Sequence, residues 1–194
     1  MKIVGIVGSP RHGRNTASLV QKILEGAHSQ QVDSTMYYID DYHINPCNAC
    51  DECKETGVCV VGDDMQLFYT ALNRGRGLVL GTPIYLDHVS AQTKIFIDRL
   101  HAYLGPDQEH YFPRNYKAIL VVTWGDGNLD LYNDVIDWLQ ERLRFYFDIQ
   151  TVAKIKAANL EEYPAERRAR LFQEAFYAGV LLANSLIGGG MYAE

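Results

Sequence analysis

The first sixteen residues constrain the fold most strongly, because they follow the pattern of a strand, a short polar loop and a helix start. Residues 3–7 are β-branched apart from one glycine, which is typical of a strand buried on both faces. After the loop from Gly8 to Arg14, apolar residues recur at helical spacing from Leu19 to Ala27. This arrangement predicts an anion site, because the first N–H groups of a helix lack partners within the helix.

Four side chains around this loop can add hydrogen-bond donors, namely Ser9, Arg11, Asn15 and Thr16. Two hydroxyls, an amide and a guanidinium suit one terminal phosphate that carries two negative charges. The loop lacks the G-x-G-x-x-G pattern of dinucleotide-binding proteins and the G-K-S/T ending of a P-loop. An ordinary turn between a strand and a helix can hold the same residue types, so the rest of the chain has to decide between the two interpretations.

Length and composition predict a single globular domain and argue against several classes of function. One domain is expected over residues 1–194, with a cysteine-rich insertion at about residues 40–62. The net charge of −6 and the lack of a basic stripe argue against binding to nucleic acid. No apolar run reaches about 18 residues, so no membrane span is expected. The stretch before the first polar loop is too short for a signal peptide, and a cytoplasmic location is therefore expected.

Strand and helix patterns alternate along the whole chain. Five strands are predicted at residues 3–7, 32–39, 77–81, 116–123 and 148–155, and five helices at residues 15–27, 63–73, 91–103, 131–145 and 165–187. This alternation predicts an α/β, three-layer sandwich in which a five-stranded parallel sheet carries helices on both faces. Ligands of such sheets bind beyond the carboxyl ends of the strands, where the loops after strands one, three and four are expected to meet.

All four cysteines lie within thirteen residues, in the pattern C-x2-C-x2-C-x5-C formed by Cys47, Cys50, Cys53 and Cys59. In bacterial ferredoxins, three cysteines at this spacing surround one cubane cluster. Zinc is one alternative, although structural zinc sites usually join two separate C-x2-C pairs. A dithiol that takes part in thiol–disulfide exchange is another. Because the chain does not resemble a small secreted protein, the crowding indicates metal or redox chemistry rather than a disulfide framework.

Three separated motifs resemble the NADPH-dependent FMN reductase branch of the flavodoxin-like proteins. They are Gly8-Ser9-Pro10-Arg11 with Asn15-Thr16, then Gly81-Thr82-Pro83-Ile84-Tyr85, then Ser90-Ala91-Gln92-Thr93-Lys94 with Ile97-Asp98-Arg99. Within the third motif, Asp98 and Arg99 are expected to form a structural pair on one helix. The cysteine motif, with Ile44-Asn45-Pro46 before it and Asp63-Asp64-Met65 after it, is similar to that of the iron–sulfur flavoproteins. The resemblance covers roughly residues 1–125, and the last third matches only the general flavodoxin-like pattern.

The resemblance implies that FMN binds in the cleft at the strand ends. It places the phosphate on the four donors of the first loop and the ring on side chains that follow strands three and four. The implied cofactor-binding residues beyond the first loop are Pro83, Ile84, Tyr85, Leu86, Ser90, Thr123, Trp124 and Gly125. The resemblance also implies that the four cysteines bind one 4Fe–4S cluster. No catalytic acid or base is expected, because the cofactors carry the chemistry.

These implications lead to the expectation of an electron-transfer flavoprotein, a flavin-dependent oxidoreductase. A carrier such as ferredoxin would supply electrons to FMN through the cluster, and a small molecule would accept them. An NAD(P)H-dependent FMN or quinone reductase is the first alternative, and a non-enzymatic redox-sensing module is the second. If the cysteine insertion folds away from its own cleft, a neighbouring subunit has to bring the two together. A homodimer or homotetramer is therefore expected, with the insertion and the aromatic residues 105–115 at the interface.

Overall fold

A parallel β-sheet forms the centre of the protein, in a computed structural model that describes residues 2–105 and 111–188. Its strands are β1 (Lys2–Val7), β2 (Asp33–Tyr38), β3 (Gly77–Tyr85), β5 (Lys117–Thr123) and β6 (Gln150–Ala157). They lie in the order β2-β1-β3-β5-β6, and every neighbouring pair is parallel. A short strand, β4 (His88–Val89), pairs antiparallel with the end of β3. The order of the five parallel strands is that of the flavodoxin-like doubly wound sheet.

Helices cover both faces of the sheet, which confirms the predicted three-layer α/β fold. They are α1 (Asn15–His28), α2 (Glu52–Thr56), α3 (Met65–Arg74), α4 (Ala91–Arg99), α5 (Asn133–Phe147) and α6 (Ala169–Gly188). Helices α1 and α6 pack on one face, whereas α3, α4 and α5 pack on the other. None of the helices in the described part of the chain is long and apolar enough to cross a bilayer.

The apolar residues of the central strands divide between the two faces because successive side chains of a strand point in opposite directions. In β1, Ile3 and Val7 pack against the α1 and α6 layer, and Val4 and Ile6 pack against the other layer. All four side chains are fully buried. Burial on both faces therefore explains why β1 is apolar throughout instead of alternating with polar residues.

The main departure from the predicted strands is at the end of β3. This strand continues through Thr82 to Tyr85 and turns back into β4, whereas the sequence predicted a loop from residue 82 onward. The two turn residues, Leu86 and Asp87, have positive φ angles of 46° and 63°. Such turns usually contain Asn-Gly or Asp-Gly, so the sequence Leu86-Asp87 did not indicate a hairpin.

The expected pairing of Asp98 with Arg99 is wrong. Lys94 Nζ lies 2.7 Å from Asp98 Oδ1 on the exposed face of α4, while Arg99 is buried and pairs with Asp63. Consecutive residues on a helix do not face each other, whereas residues four apart do. Of the aromatic segment that was expected at an interface, residues 106–110 lie outside the described residues.

Candidate cofactor cleft and cysteine pocket

A cleft of about 720 Å³ lies at the carboxyl edge of the sheet, beyond the ends of β1, β3 and β5. Ten of the twelve predicted cofactor residues line it, namely Ser9, Arg11, Asn15, Thr16, Pro83, Ile84, Tyr85, Thr123, Trp124 and Gly125. The volume is within the range of sites that bind cofactors and other small molecules. The three loops that the sequence predicted to meet therefore do form one concave site.

The first loop is held in place by the start of α4. Ser90 Oγ donates a hydrogen bond to Gly8 O at 2.6 Å and lies 2.9 Å from Thr93 Oγ1. It also accepts from Thr93 N at 3.2 Å, which caps the helix. A Cβ atom on Gly8 would collide with Thr93 Oγ1, so only glycine allows this close approach. Ser90 is buried and lies behind the loop rather than in the lining of the cleft.

Three buried hydroxyls at this site, those of Ser9, Thr16 and Thr123, retain two hydrogens that are available to a ligand. Ser9 Oγ accepts from Arg11 N at 3.2 Å, a bond that does not use the hydroxyl hydrogen of Ser9. Thr16 Oγ1 lies 2.7 Å from Thr123 Oγ1, so one of these hydroxyls donates to the other and the pair retains one hydrogen. In the described residues no side chain caps the start of α1, which leaves its first N–H groups without side-chain acceptors.

Asn15 lines the cleft, but its amide group also holds the segment that follows β6. Its Nδ2 donates to Leu160 O at 3.4 Å, and its Oδ1 accepts from Ala165 N at 2.8 Å. Ser18 Oγ adds a 3.1 Å hydrogen bond to Glu166. The sequence reasoning missed five lining residues, namely Arg14, Leu160, Glu161, Pro164 and Glu166. Except for Arg14, these residues follow β6, the fifth parallel strand, whose end lies at the same edge of the sheet. Their place after a parallel strand was the one feature of the sequence that could have identified them.

Charges are unevenly distributed within the cleft. The positive charges, Arg11 and Arg14, are exposed in the first loop. The negative charges, Glu161 and Glu166, belong to the segment after β6. The positive end of the α1 dipole coincides with the two arginines. The first loop is therefore the part of the cleft where the local charges favour an anionic group most.

The β3–β4 hairpin forms another wall of the cleft. Tyr85 lines the cleft and is 40% exposed, whereas Leu86 lies at the tip, fully exposed and outside the lining. Tyr132 donates a 2.9 Å hydrogen bond to Asp87 Oδ1, and its ring packs edge-on against Trp124 at 5.6 Å. This contact joins the hairpin to the loop after β5, so the two apolar walls are held together.

The four cysteines line a second and much smaller pocket, of about 20 Å³. Cys47 and Cys50 are exposed, Cys59 is half-buried and Cys53 is buried, and none of them forms a disulfide. The cleft and this pocket have no lining residue in common. The insertion thus brings all four predicted ligands together, at a place separate from the cleft.

Left-handed backbone allows the insertion to fold around this pocket. Ala49, Asp51 and Gly57 have φ angles of 55°, 62° and 68°. Asp51 precedes α2 and Gly57 follows it, so that Cys53 lies on this short helix between two sharp changes of direction. Such turns allow cysteines that are close in sequence to face a common centre.

Two basic side chains reach the sulfur atoms. Arg99 Nη2 donates to Cys59 Sγ at 3.4 Å, and His101 Nδ1 lies 3.7 Å from Cys53 Sγ. Burial, followed by the neighbouring Cys59 thiol, raises the pKa of Cys53. A buried thiol of this kind ionises readily only when a metal or another positive charge stabilises its thiolate.

The described residues of the cysteine pocket do not form a ready-made site for one metal ion. Among the residues that the structure describes, no three His, Cys, Asp or Glu side chains converge as ligands of one metal ion. The exposed and unpaired Cys47 and Cys50 are compatible with a dithiol.

Comparison with known proteins identifies the relatives of this chain. Residues 1–156 match the family described as NADPH-dependent FMN reductase. An iron–sulfur flavoprotein from Archaeoglobus fulgidus is 33% identical over 146 residues, which cover 74% of this chain and 70% of the relative. Another, from Methanocaldococcus jannaschii, is 37% identical over 99 residues, 51% of each protein. The chain spans about half the length of several of the curated relatives it matches.

Solved structures agree with these relatives on the fold. An NAD(P)H:quinone oxidoreductase from Methanothermobacter marburgensis has a TM-score of 0.73 at 14% identity, over 94% of this chain and 96% of that protein. A flavodoxin from the domain Archaea has a TM-score of 0.62 at 14% identity, over 96% and 99%. At such low identity these structures establish the flavodoxin-like fold alone. The family match over residues 1–156 and the relative from Archaeoglobus fulgidus show that the chain belongs to the NADPH-dependent FMN reductase family and is related to its iron–sulfur flavoproteins.

Proposed function

We propose that this chain is a flavin-dependent oxidoreductase that binds FMN in the cleft. The observation that supports this most directly is that phosphate donors and apolar walls line the same 720 Å³ space. The phosphate would bind to Ser9, Arg11 and the Thr16–Thr123 pair, next to the start of α1, where anions are favoured. When bound, FMN would supply one- and two-electron transfer.

Apolar side chains at the other end of the cleft would orient the flat ring. Pro83 and Ile84 lie at the end of β3, and Trp124 follows β5. Trp124 Nε1 donates to Asn128 O at 3.1 Å, which fixes the indole and the loop that carries it. Tyr85 is 40% exposed at the hairpin, so one side of this region is open to solvent and to a small-molecule electron acceptor. The role of these residues is to position the ring and to limit access of water to it.

We further propose that Cys47, Cys50, Cys53 and Cys59 bind one 4Fe–4S cluster, for which a carrier such as ferredoxin supplies the electrons. The shared pocket, the left-handed turns and the curated relatives named iron–sulfur flavoprotein support this proposal. A cluster would supply single electrons, which complements the chemistry of FMN.

The positions of the two sites favour a homodimer or homotetramer. Ser90 supports the cleft at the start of α4, whereas Arg99 and His101 reach the cysteines at its other end. A helix of this length rises about 14 Å, at about 1.5 Å per residue. Because the two sites lie towards opposite ends of α4 within one chain, a neighbouring subunit that places its cysteine pocket beside the cleft would shorten the path for electrons.

An NAD(P)H-dependent FMN or quinone reductase is the second candidate. The family match favours it, as does the exposed side of the cleft at Tyr85, where a nicotinamide could stack on the ring. In that function the cysteines would have a secondary role.

The deciding experiment is to purify the protein without oxygen and to count FMN, iron and sulfide per chain. The proposal predicts one FMN with four irons and four sulfides. Cys53→Ala should lose iron and ferredoxin-dependent flavin reduction but retain FMN and its reduction by dithionite. Val58→Ala, an exposed change in the same insertion outside the lining of the cysteine pocket, is the matched control and should retain the iron, the FMN and both kinds of flavin reduction. Zinc or no metal in the native protein would favour the reductase instead, and release of FAD would refute the assignment of the flavin.

A further inference from the structure

Arg99, at the end of α4, is an unusual buried charge. Its side chain is 1% exposed, as is that of Asp63, with which it pairs. Arg99 Nη1 donates to Asp63 Oδ2 at 2.6 Å, and Nη2 donates to Oδ1 at 3.1 Å. Burial alone would raise the pKa of Asp63, but hydrogen bonds from Arg99 and from the backbone lower it below the ordinary carboxyl range. The two-point geometry fixes the plane of the guanidinium.

The same guanidinium connects both ends of the cysteine insertion. Nη1 also donates to Asn45 O at 2.7 Å, just before the first cysteine, and Nη2 donates to Cys59 Sγ at 3.4 Å. Asn45 N donates to Asp63 Oδ2 at 2.8 Å, which closes the arrangement. Two points of the insertion, Asn45 and Cys59, and the residue directly after it, Asp63, therefore meet at one side chain that comes from another part of the chain.

The backbone of Arg99 is also held in place, by a hydrogen bond from α3. Tyr69 donates a 2.6 Å hydrogen bond to Arg99 O, which fixes the backbone from which the guanidinium extends. Arg99 lines the cysteine pocket, and its buried Nε has no partner within the described ranges. A buried donor without a partner is uncommon in proteins and calls for an explanation. Acceptor atoms in the pocket, such as those of a sulfur-rich group, would satisfy a donor at this position.

We propose that Arg99 is the positioning residue of the cysteine pocket. It holds the two ends of the insertion together before any metal binds, and it donates a hydrogen bond to the sulfur of Cys59 in the loaded protein. The second part rests on the proposed cluster. Hydrogen bonds to ligand sulfurs stabilise the more negative, reduced form of a cluster, so this bond would raise the reduction potential. Lysine could keep the charge but not the planar fork, which is why arginine is required.

The test uses two variants and one matched control. Arg99→Lys keeps a cation beside Asp63 but cannot occupy both guanidinium positions. The double variant Arg99→Met with Asp63→Leu leaves no buried charge, so it is expected to fold even if a single removal does not. Lys54→Met is the control, because it removes an exposed cation of the same insertion that pairs with Asp51 and touches no cysteine sulfur.

Two measurements test the two parts of the proposal, the first in the metal-free protein and the second in the protein that holds the cluster. Amide hydrogen exchange in the metal-free protein should quicken about tenfold or more at Asn45 in Arg99→Lys, because the charge partner that fixes Asp63 is displaced. The double variant is measured at Gly57, whose N–H donates to Cys53 O, since Asp63→Leu by itself removes the acceptor of Asn45 N. The cluster potential, from an anaerobic redox titration followed by electron paramagnetic resonance, should become more negative in both Arg99 variants, while FMN content stays unchanged. Lys54→Met should match the native protein in each measurement.

The outcomes separate this inference from the proposed function. If the native protein holds no iron, the cluster proposal fails, and exchange in the metal-free protein still decides whether Arg99 organises the insertion. Exchange rates and a potential that match the Lys54→Met control would overturn the inference even if the native protein contains a full cluster.

Discussion

Replacement of Gly8 by alanine tests the contact that holds the first loop. The new Cβ would collide with Thr93 Oγ1 and would lie 3.1 Å from Thr93 Cβ and 3.2 Å from Ser90 Oγ. The loop cannot simply move away, because Gly8 N donates to Gly81 O at 2.7 Å and Gly8 O accepts from Ser90. Overpacking of this kind costs about 1–3 kcal/mol, and we expect a value near the upper end because hydrogen bonds restrain Gly8 on both sides.

A second substitution, at Thr93, shows whether the collision causes the loss of stability in Gly8→Ala. Thr93→Ala removes Oγ1, and on its own it should cost about 0.5–1.5 kcal/mol for the lost hydrogen bond to Ser90. In the double variant the closest contact disappears, so Gly8→Ala should lower the free energy of unfolding less there than in the native background. The difference should be about 1 kcal/mol or more, since residues in contact do not act additively. Part of the strain should remain, because the Cβ atom of residue 93 and Ser90 Oγ are still close.

The assays are urea unfolding of the flavin-free protein and titration with FMN followed by flavin fluorescence. Gly8→Ala should weaken FMN binding about tenfold, because a shift of the loop moves the phosphate donors, and the double variant should recover part of this loss. Gly62→Ala is the matched control, since its Cβ would meet open space. If Gly8→Ala behaves like Gly62→Ala, or if the two substitutions are additive, the close contact does not control the site.

Three further changes test other parts of the structure. Arg11→Ala should weaken FMN binding by about 1.5–3 kcal/mol in the same titration, the range for a hydrogen bond to a charged group, while Lys154→Ala, outside the cleft, should have no effect. Asn15→Asp should quicken hydrogen exchange at Ala165, because it places an acceptor against Leu160 O, and unchanged exchange would show that Asn15 does not hold this segment. The lowered pKa of Asp63 means that its ionised form stabilises the fold above about pH 4 and that this contribution is lost as the pH falls through the folded-state pKa. Acid titration of unfolding should therefore destabilise the native protein more steeply than the variant with Arg99→Met and Asp63→Leu, and parallel curves would contradict this.

The sequence predicted the sheet and most of the cleft because local patterns determine them. The β-branched run of β1 indicates burial on both faces, and parallel strands bring their carboxyl ends to one edge whatever the details of the loops. The close spacing of the cysteines likewise indicated that they would lie near one another, and all four line one pocket. Each of these features depends on residues that are close in sequence or on a general property of parallel sheets.

Other features depend on contacts that local sequence does not encode. A serine such as Ser90 has the same appearance in a sequence whether its hydroxyl faces a ligand or the back of a loop. Along the sequence, Asp63 and Arg99 are separated by α3, β3 and β4. Only the packing of the insertion against α4 brings the two side chains together. The cleft wall after β6 was missed for a similar reason, since its contact with Asn15 spans most of the chain.

The contact between Asn15 and Ala165 also determines when the site can form during synthesis. Asn15 leaves the ribosome long before Ala165, because 150 positions separate the two residues. Until the later segment emerges, the first loop lacks one of its walls, and the nascent chain cannot complete the cleft. FMN should therefore bind at the end of synthesis and stabilise the finished domain by mass action, instead of guiding the early steps of its folding. A chain that ends before residue 165 should accordingly carry no flavin, even though every phosphate donor is already present.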